Sequence, residues 1–193
     1  MGSTINIPLP PGSGTGCYAY AMQRVVLPAL ERFKPDLIFV SSGFDASYAD
    51  PLASMMMSSD GFRDIAIQLK DAAMRLCQGK IIFAHEGGYS KDYVPFCALA
   101  VIEALVGKRS IVQDECIDEV DRWGYQALQA HQASVINLVA EMHDLYVDKT
   151  NIEIQKIEQN VEDLRTRDYI QTLLDGIKDP QRRQAVLQSL TAI

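Results

Sequence analysis

Leu37-Ile38-Phe39-Val40 is uniformly apolar and runs straight into Ser41-Ser42-Gly43-Phe44-Asp45-Ala46-Ser47-Tyr48-Ala49-Asp50-Pro51-Leu52. A short apolar run entered through the turn Lys34-Pro35-Asp36 reads as a strand buried on both faces, as in a parallel sheet. Such a strand commits the chain to an α/β fold, because parallel neighbours need crossover segments between them. It also fixes where chemistry can sit. In open α/β sheets ligands bind beyond the carboxyl ends of the strands, and this strand ends on a carboxylate, Asp45. Taken alone, Asp45 reads equally as a metal ligand or acid/base group and as a turn residue capping a helix.

The rest of the chain repeats this arrangement. Thr4 to Leu9, with Ile5 and Ile7, predicts a short strand before the rigid loop Pro10-Pro11-Gly12-Ser13-Gly14-Thr15-Gly16. Apolar residues near helical spacing follow from Cys17 to Phe33, with Pro28 as a kink or stop. Ser58-Ser59-Asp60-Gly61 supplies caps for a helix whose Phe62, Ile65, Ala66, Leu69, Ala72, Ala73 and Leu76 face a core, ending near Cys77 and Gly79. Lys80 to Ala84 predicts another strand, His85-Glu86-Gly87-Gly88-Tyr89-Ser90 its terminal loop, and Tyr93 to Val106 a helix closed by Gly107. Three strand-loop-helix units place PPGSGTG, SGFDASYADPL and HEGGYS on one edge of a parallel sheet, although they are far apart in sequence. Gly87 and Gly88 allow close backbone approach to a ligand. Tyr89 by itself reads as a packing tyrosine with a solvated hydroxyl.

Charge divides the chain. Residues 1 to 113 carry ten acidic and ten basic side chains, whereas residues 114 to 193 carry fifteen and eight, so the formal charge of −7 lies entirely in the second part. This argues against nucleic-acid binding by bulk electrostatics and predicts a boundary near Gln113. Beyond it glycine nearly vanishes and helical spacing takes over, over Ala127–Met142, Ile152–Leu164, Tyr169–Ile177 and Gln181–Leu190. We expect an α/β portion over 1–113 and an all-helical extension over 114–193 that serves as an appendage or dimer surface. No apolar run approaches the ~20 residues of a membrane span, and no secretory signal is evident. Cys17, Cys77, Cys97 and Cys116 form no CxxC pair, which predicts reduced thiols in a cytoplasmic protein.

Two chemical readings of the loops compete. GSGTG has G-x-G-x-G spacing rather than G-x-G-x-x-G and lacks the later acidic residue of a dinucleotide site, which disfavours a phosphate cradle. A zinc hydrolase needs three ligands from His, Asp, Glu or Cys, and Asp45 supplies one, with only His85, His131 and His143 elsewhere and no Asp-x-His pair. A strand-end His85 satisfied by backbone is as good a reading as a site residue.

NIPLPPGSGTGCY, SSGFDASYADPL and HEGGYS, in this order, resemble the C-terminal half of the arginase-like zinc deacetylases over about residues 4 to 109. The likeness is nearest to class II histone deacetylases and bacterial histone deacetylase-like amidohydrolases, with acetylpolyamine amidohydrolases nearby. It implies part of a three-layer parallel sheet and zinc-dependent deacetylation of acetyl-lysine or acetylpolyamine-like amides by metal-activated water. Asp45 matches a zinc ligand and Tyr89 the tyrosine that hydrogen-bonds the acetyl carbonyl oxygen. Gly87 and Gly88 match backbone lining the acyl-lysine channel, and Leu52 an apolar wall of it. The family's Asp-x-His ligands and tandem histidines precede everything in this sequence, so the chain is expected to be a fragment that is inactive alone. The alternative is a non-catalytic interaction module that keeps the deacetylase-like core and assembles through its helical tail.

Overall fold

The computed structural model describes residues 4–145. Two strands, β1 (Ile38–Ser42) and β2 (Ile81–His85), pair in parallel with Ile38 beside Ile81 and Ser42 beside His85. The crossover between them is α3 (Ser59–Cys77), whose Ser58 cap accepts a hydrogen bond from the Gly61 N–H, as the Ser-Ser-Asp-Gly stretch predicts. Such a cap stabilises a helix by about 1 kcal/mol. Gln78 and Gly79 end α3 with positive φ, and the Gly79 N–H reaches back to the Ala73 carbonyl.

Small residues let the layers approach closely. Ala72, Ala73 and Cys77 of α3 pack under Ile38, Val40 and Ile81. Phe62 and Ala66, on the same helix, meet Cys97, Val101 and Ala104 of α4 (Val94–Val106) together with Phe44. Arg63 of α3 pairs with Glu103 of α4 at 2.7 Å, both side chains nearly buried.

Two local expectations change. Thr4–Leu9 forms no strand among the described residues; Ile5, Ile7 and Leu9 instead pack on a helical cluster with Cys17, Val25 and Ile136. Alternation is also what an irregular extended segment needs to bury every second side chain, so the pattern did not discriminate. The sheet, moreover, is covered on one face only by the described residues: Phe39 and Ile82, side by side in the register, are 60% and 47% exposed.

The helix expected over Cys17 to Phe33 is continuous from α1 (Thr15–Ala21) through a π-helical turn at Met22–Val26 into α2 (Leu27–Phe33). Pro28 accounts for the turn. Its ring would clash with the carbonyl four residues back, and widening the turn, with the Leu27 N–H bonded to Met22, relieves this without breaking the helix.

Residues 114–145 lie on this core. After a single-turn helix, α5 (Ile117–Val120), α6 (Ala130–Met142) packs Ile136, Val139 and Ala140 against Cys17, Ala21 and Val25. Asn137 accepts hydrogen bonds from Tyr20 and Arg24. The first compact unit accordingly runs to Tyr146. The helices expected over 152–190 lie outside the described residues.

Candidate active site

Beyond the carboxyl ends of the strands the chains stay zipped together. The Glu86 N–H donates to the Ser42 carbonyl at 3.2 Å, and the Phe44 N–H to the Gly87 carbonyl at 2.8 Å. These bonds carry the β1–β2 pairing into the two loops and set Asp45 opposite Gly87. A Cβ built on Gly87 would overlap the Asp45 Oδ2 and sit 3.6 Å from the Tyr89 hydroxyl oxygen. The Asp45 carboxylate and the Tyr89 phenol therefore converge on one point beside a residue with no side chain. Gly88 points the other way. With φ at +122°, its absent side chain would meet the Phe44 Cβ at 2.9 Å and the Val94 Cγ2 at 3.0 Å, in the core. The ring of Phe44, 3% exposed, packs edge-on against Phe62, so the loop rests on a rigid floor.

The third loop joins through main-chain bonds. The Gly12 N–H donates to the Ser54 carbonyl and the Met56 N–H to the Ser13 carbonyl, while the Met57 N–H donates to the Ala46 carbonyl and the Tyr48 N–H to the Met57 carbonyl, both at 3.0 Å. The three loops thus meet, although the first follows an irregular segment rather than the strand the pattern predicts. Tyr18, in α1, has its phenol pKa pushed up to about 12 by burial, with the charges of Cys17 and Asp45 adding to it.

Leu52 and Tyr89 are 74% and 57% exposed, so both can face a ligand. What ties them together is a residue that sequence reasoning treated only as a neighbour of Pro51. Asp50, 8% exposed, accepts from the Tyr89 N–H at 2.8 Å on Oδ2, and from the Leu52 and Ala53 N–H groups at 2.9 and 3.1 Å on Oδ1. Burial would raise its carboxyl pKa, but the three N–H donors outweigh this and hold it below the usual carboxylate range. The Asp-Pro turn was visible in the sequence; the partner 39 positions away was not.

Gln126 was missed as well. Its Oε1 accepts from the Thr15 N–H at 2.9 Å and its Nε2 donates to the Met56 carbonyl at 2.7 Å. A Cβ at Gly14 or Gly16 would strike the Tyr125 and Gln126 backbone carbonyls. The glycines of GSGTG thus make room for protein rather than for phosphate.

A catalytic zinc site takes three protein donors. Among the described residues no group of three His, Cys, Asp or Glu side chains is placed to hold a metal ion. His85 ends β2 with its ring 5.2 Å from that of Phe44.

The chain matches the histone deacetylase domain family over residues 1–105. It is 55% identical over 120 residues to a histone deacetylase-like amidohydrolase of Pseudomonas aeruginosa, a match covering 62% of this chain and 32% of that protein. Its fold superposes on the structure of the histone deacetylase Clr3 with a TM-score of 0.61 and 31% identity, over 75% of this chain and 22% of the other. The HD domain of HDA15 gives a TM-score of 0.58 and 29% identity, over 72% of this chain and 35% of that one. The chain thus spans about a third of the length of the Pseudomonas relative. With its parallel pair of strands and three loops gathered at one edge, the chain belongs to the histone deacetylase family.

Proposed function

We propose that this chain is the part of a deacetylase catalytic domain that supplies one zinc ligand and the oxyanion-binding tyrosine. The convergence of Asp45 and Tyr89 beside Gly87 carries this reading. Zinc, when bound, supplies an activated water for amide hydrolysis. Asp45 offers it one oxygen donor, the remaining donors coming from elsewhere in the complete domain. The Tyr89 hydroxyl donates a hydrogen bond to the acyl carbonyl oxygen and keeps donating as negative charge develops there. A preorganised donor of this kind contributes about 10²-fold or more in rate. The Gly87–Gly88 backbone and the Leu52 side chain form walls for the stem of an acylated lysine or polyamine. Buried, unpaired Cys17, Cys77 and Cys97 suit a reducing cytoplasm. The chain alone is inactive, and assembly through its helical tail gives a homo-oligomer.

The test joins this chain to the preceding part of the Pseudomonas amidohydrolase. The hybrid is expected to hydrolyse a fluorogenic acetyl-lysine substrate and to contain close to one zinc per chain by elemental analysis. Asp45→Asn is expected to lower the zinc content, and Tyr89→Phe to leave zinc in place while cutting turnover about 10²-fold. A folded hybrid without zinc or activity would replace this reading with that of an interaction module. Robust turnover by the unaccompanied chain would overturn its inactivity, and a monomer by light scattering would overturn the oligomer.

A further inference from the structure

We propose that Asp50 is a positioning residue for Tyr89: its carboxylate ties the loop that carries the reactive phenol to the loop that carries the Leu52 wall. This rests on the reading of Tyr89 as the oxyanion donor. Gly88 seats the start of the loop on Phe44 and Val94, but neither glycine has a side chain that could hold the tyrosine that follows. Its side chain is more than half exposed, and packing alone does not hold it. The bond from its N–H to Asp50 Oδ2, at 2.8 Å, fixes the Tyr89 backbone. The same carboxylate is anchored on its other oxygen by Leu52 and Ala53, and is itself buried, so it is a rigid point. Charge-assisted bonds to an ionised acceptor are stronger than neutral ones, which suits a strut that sets the position of an exposed side chain. The phenol and the channel wall consequently move as one unit.

Asp50→Asn separates the two halves of this strut. The amide oxygen still satisfies Leu52 and Ala53, while the amide nitrogen faces the Tyr89 N–H and cannot accept from it. In the zinc-loaded hybrid, D50N is expected to lower kcat by about 10- to 100-fold with KM nearly unchanged, because misplacing a reacting group costs rate. The decisive comparison is a double-mutant cycle with Tyr89→Phe. If Asp50 acts through the phenol, D50N/Y89F is no slower than Y89F alone. Losses that multiply, or an unchanged kcat in D50N, overturn the proposal.

The second measurement needs no activity. In the full chain, the Tyr89 amide is expected to be protected from hydrogen exchange, and D50N to remove that protection while the β1–β2 amides stay protected. Rapid exchange of the Tyr89 amide in the unaltered chain overturns the strut even if D50N does not fold. An inactive hybrid with a protected Tyr89 amide would refute the deacetylase reading and leave the strut standing.

Discussion

Gly87 and Gly88 are neighbours with opposite duties, and alanine at each is expected to fail differently. At Gly88 the backbone sits at φ +122°, where an L side chain costs about 1–3 kcal/mol. The added methyl would also lie 2.9 Å from the Phe44 Cβ and 3.0 Å from the Val94 Cγ2. Neither can give way easily, because Phe44 is buried against Phe62 and Val94 opens α4. Overpacking of that kind adds about 1–3 kcal/mol. Gly88→Ala should therefore cost about 2–6 kcal/mol, a large share of the 5–15 kcal/mol typical of a domain. At Gly87 the backbone is outside the positive-φ region, and the methyl would press only on the end of the half-buried Asp45 side chain. That carboxylate can turn aside, so Gly87→Ala should change stability by less than about 1 kcal/mol. Its cost falls on the site, where Asp45 leaves its position and turnover of the hybrid enzyme drops by about 10²-fold. Urea melts of the full chain, followed by circular dichroism, measure the first effect; zinc content and turnover measure the second. A Gly88→Ala melt that overlays the parent, or a Gly87→Ala melt as weakened as that of Gly88→Ala, would refute the assignment of one glycine to the core and the other to the site.

Acid should act through Glu103. Ser110, then Arg63, hold its carboxyl down to about 2 from 4.5, with the Ser110 N–H at 2.6 Å and Arg63 at 2.7 Å. A depressed folded-state pKa means the unfolded chain binds more protons, so this contribution is complete above about 4.5 and is lost as pH falls toward about 2. Glu103→Gln should flatten the melting-temperature profile in that window, and an unchanged profile would show that Glu103 is not the group responsible. Gln126→Ala leaves the Thr15 N–H and the Met56 carbonyl without their partners and should cost about 1–3 kcal/mol, with faster hydrogen exchange at Thr15. A loss below 0.5 kcal/mol, on the order of an ordinary surface change, would mean water replaces the side chain.

Local rules made much of the architecture readable from the chain itself. Apolar runs announced β1 and β2, Ser58 announced the start of α3, and Gly79 and Gly107 announced helix ends, because period, capping and positive φ are properties of neighbouring residues. The likeness of three ordered motifs singled out Asp45 and Tyr89 before any coordinates. Tertiary structure alone decided the rest. Asp50 became a strut only by meeting an amide 39 positions away, and Gln126 an anchor only by bridging residues 111 and 70 positions away. Glycines that resembled a phosphate loop proved to seat a segment of protein, and a segment with a strand's alternation packed on helices instead. A buried polar group must find partners wherever the fold brings them, and nothing in its local sequence names them.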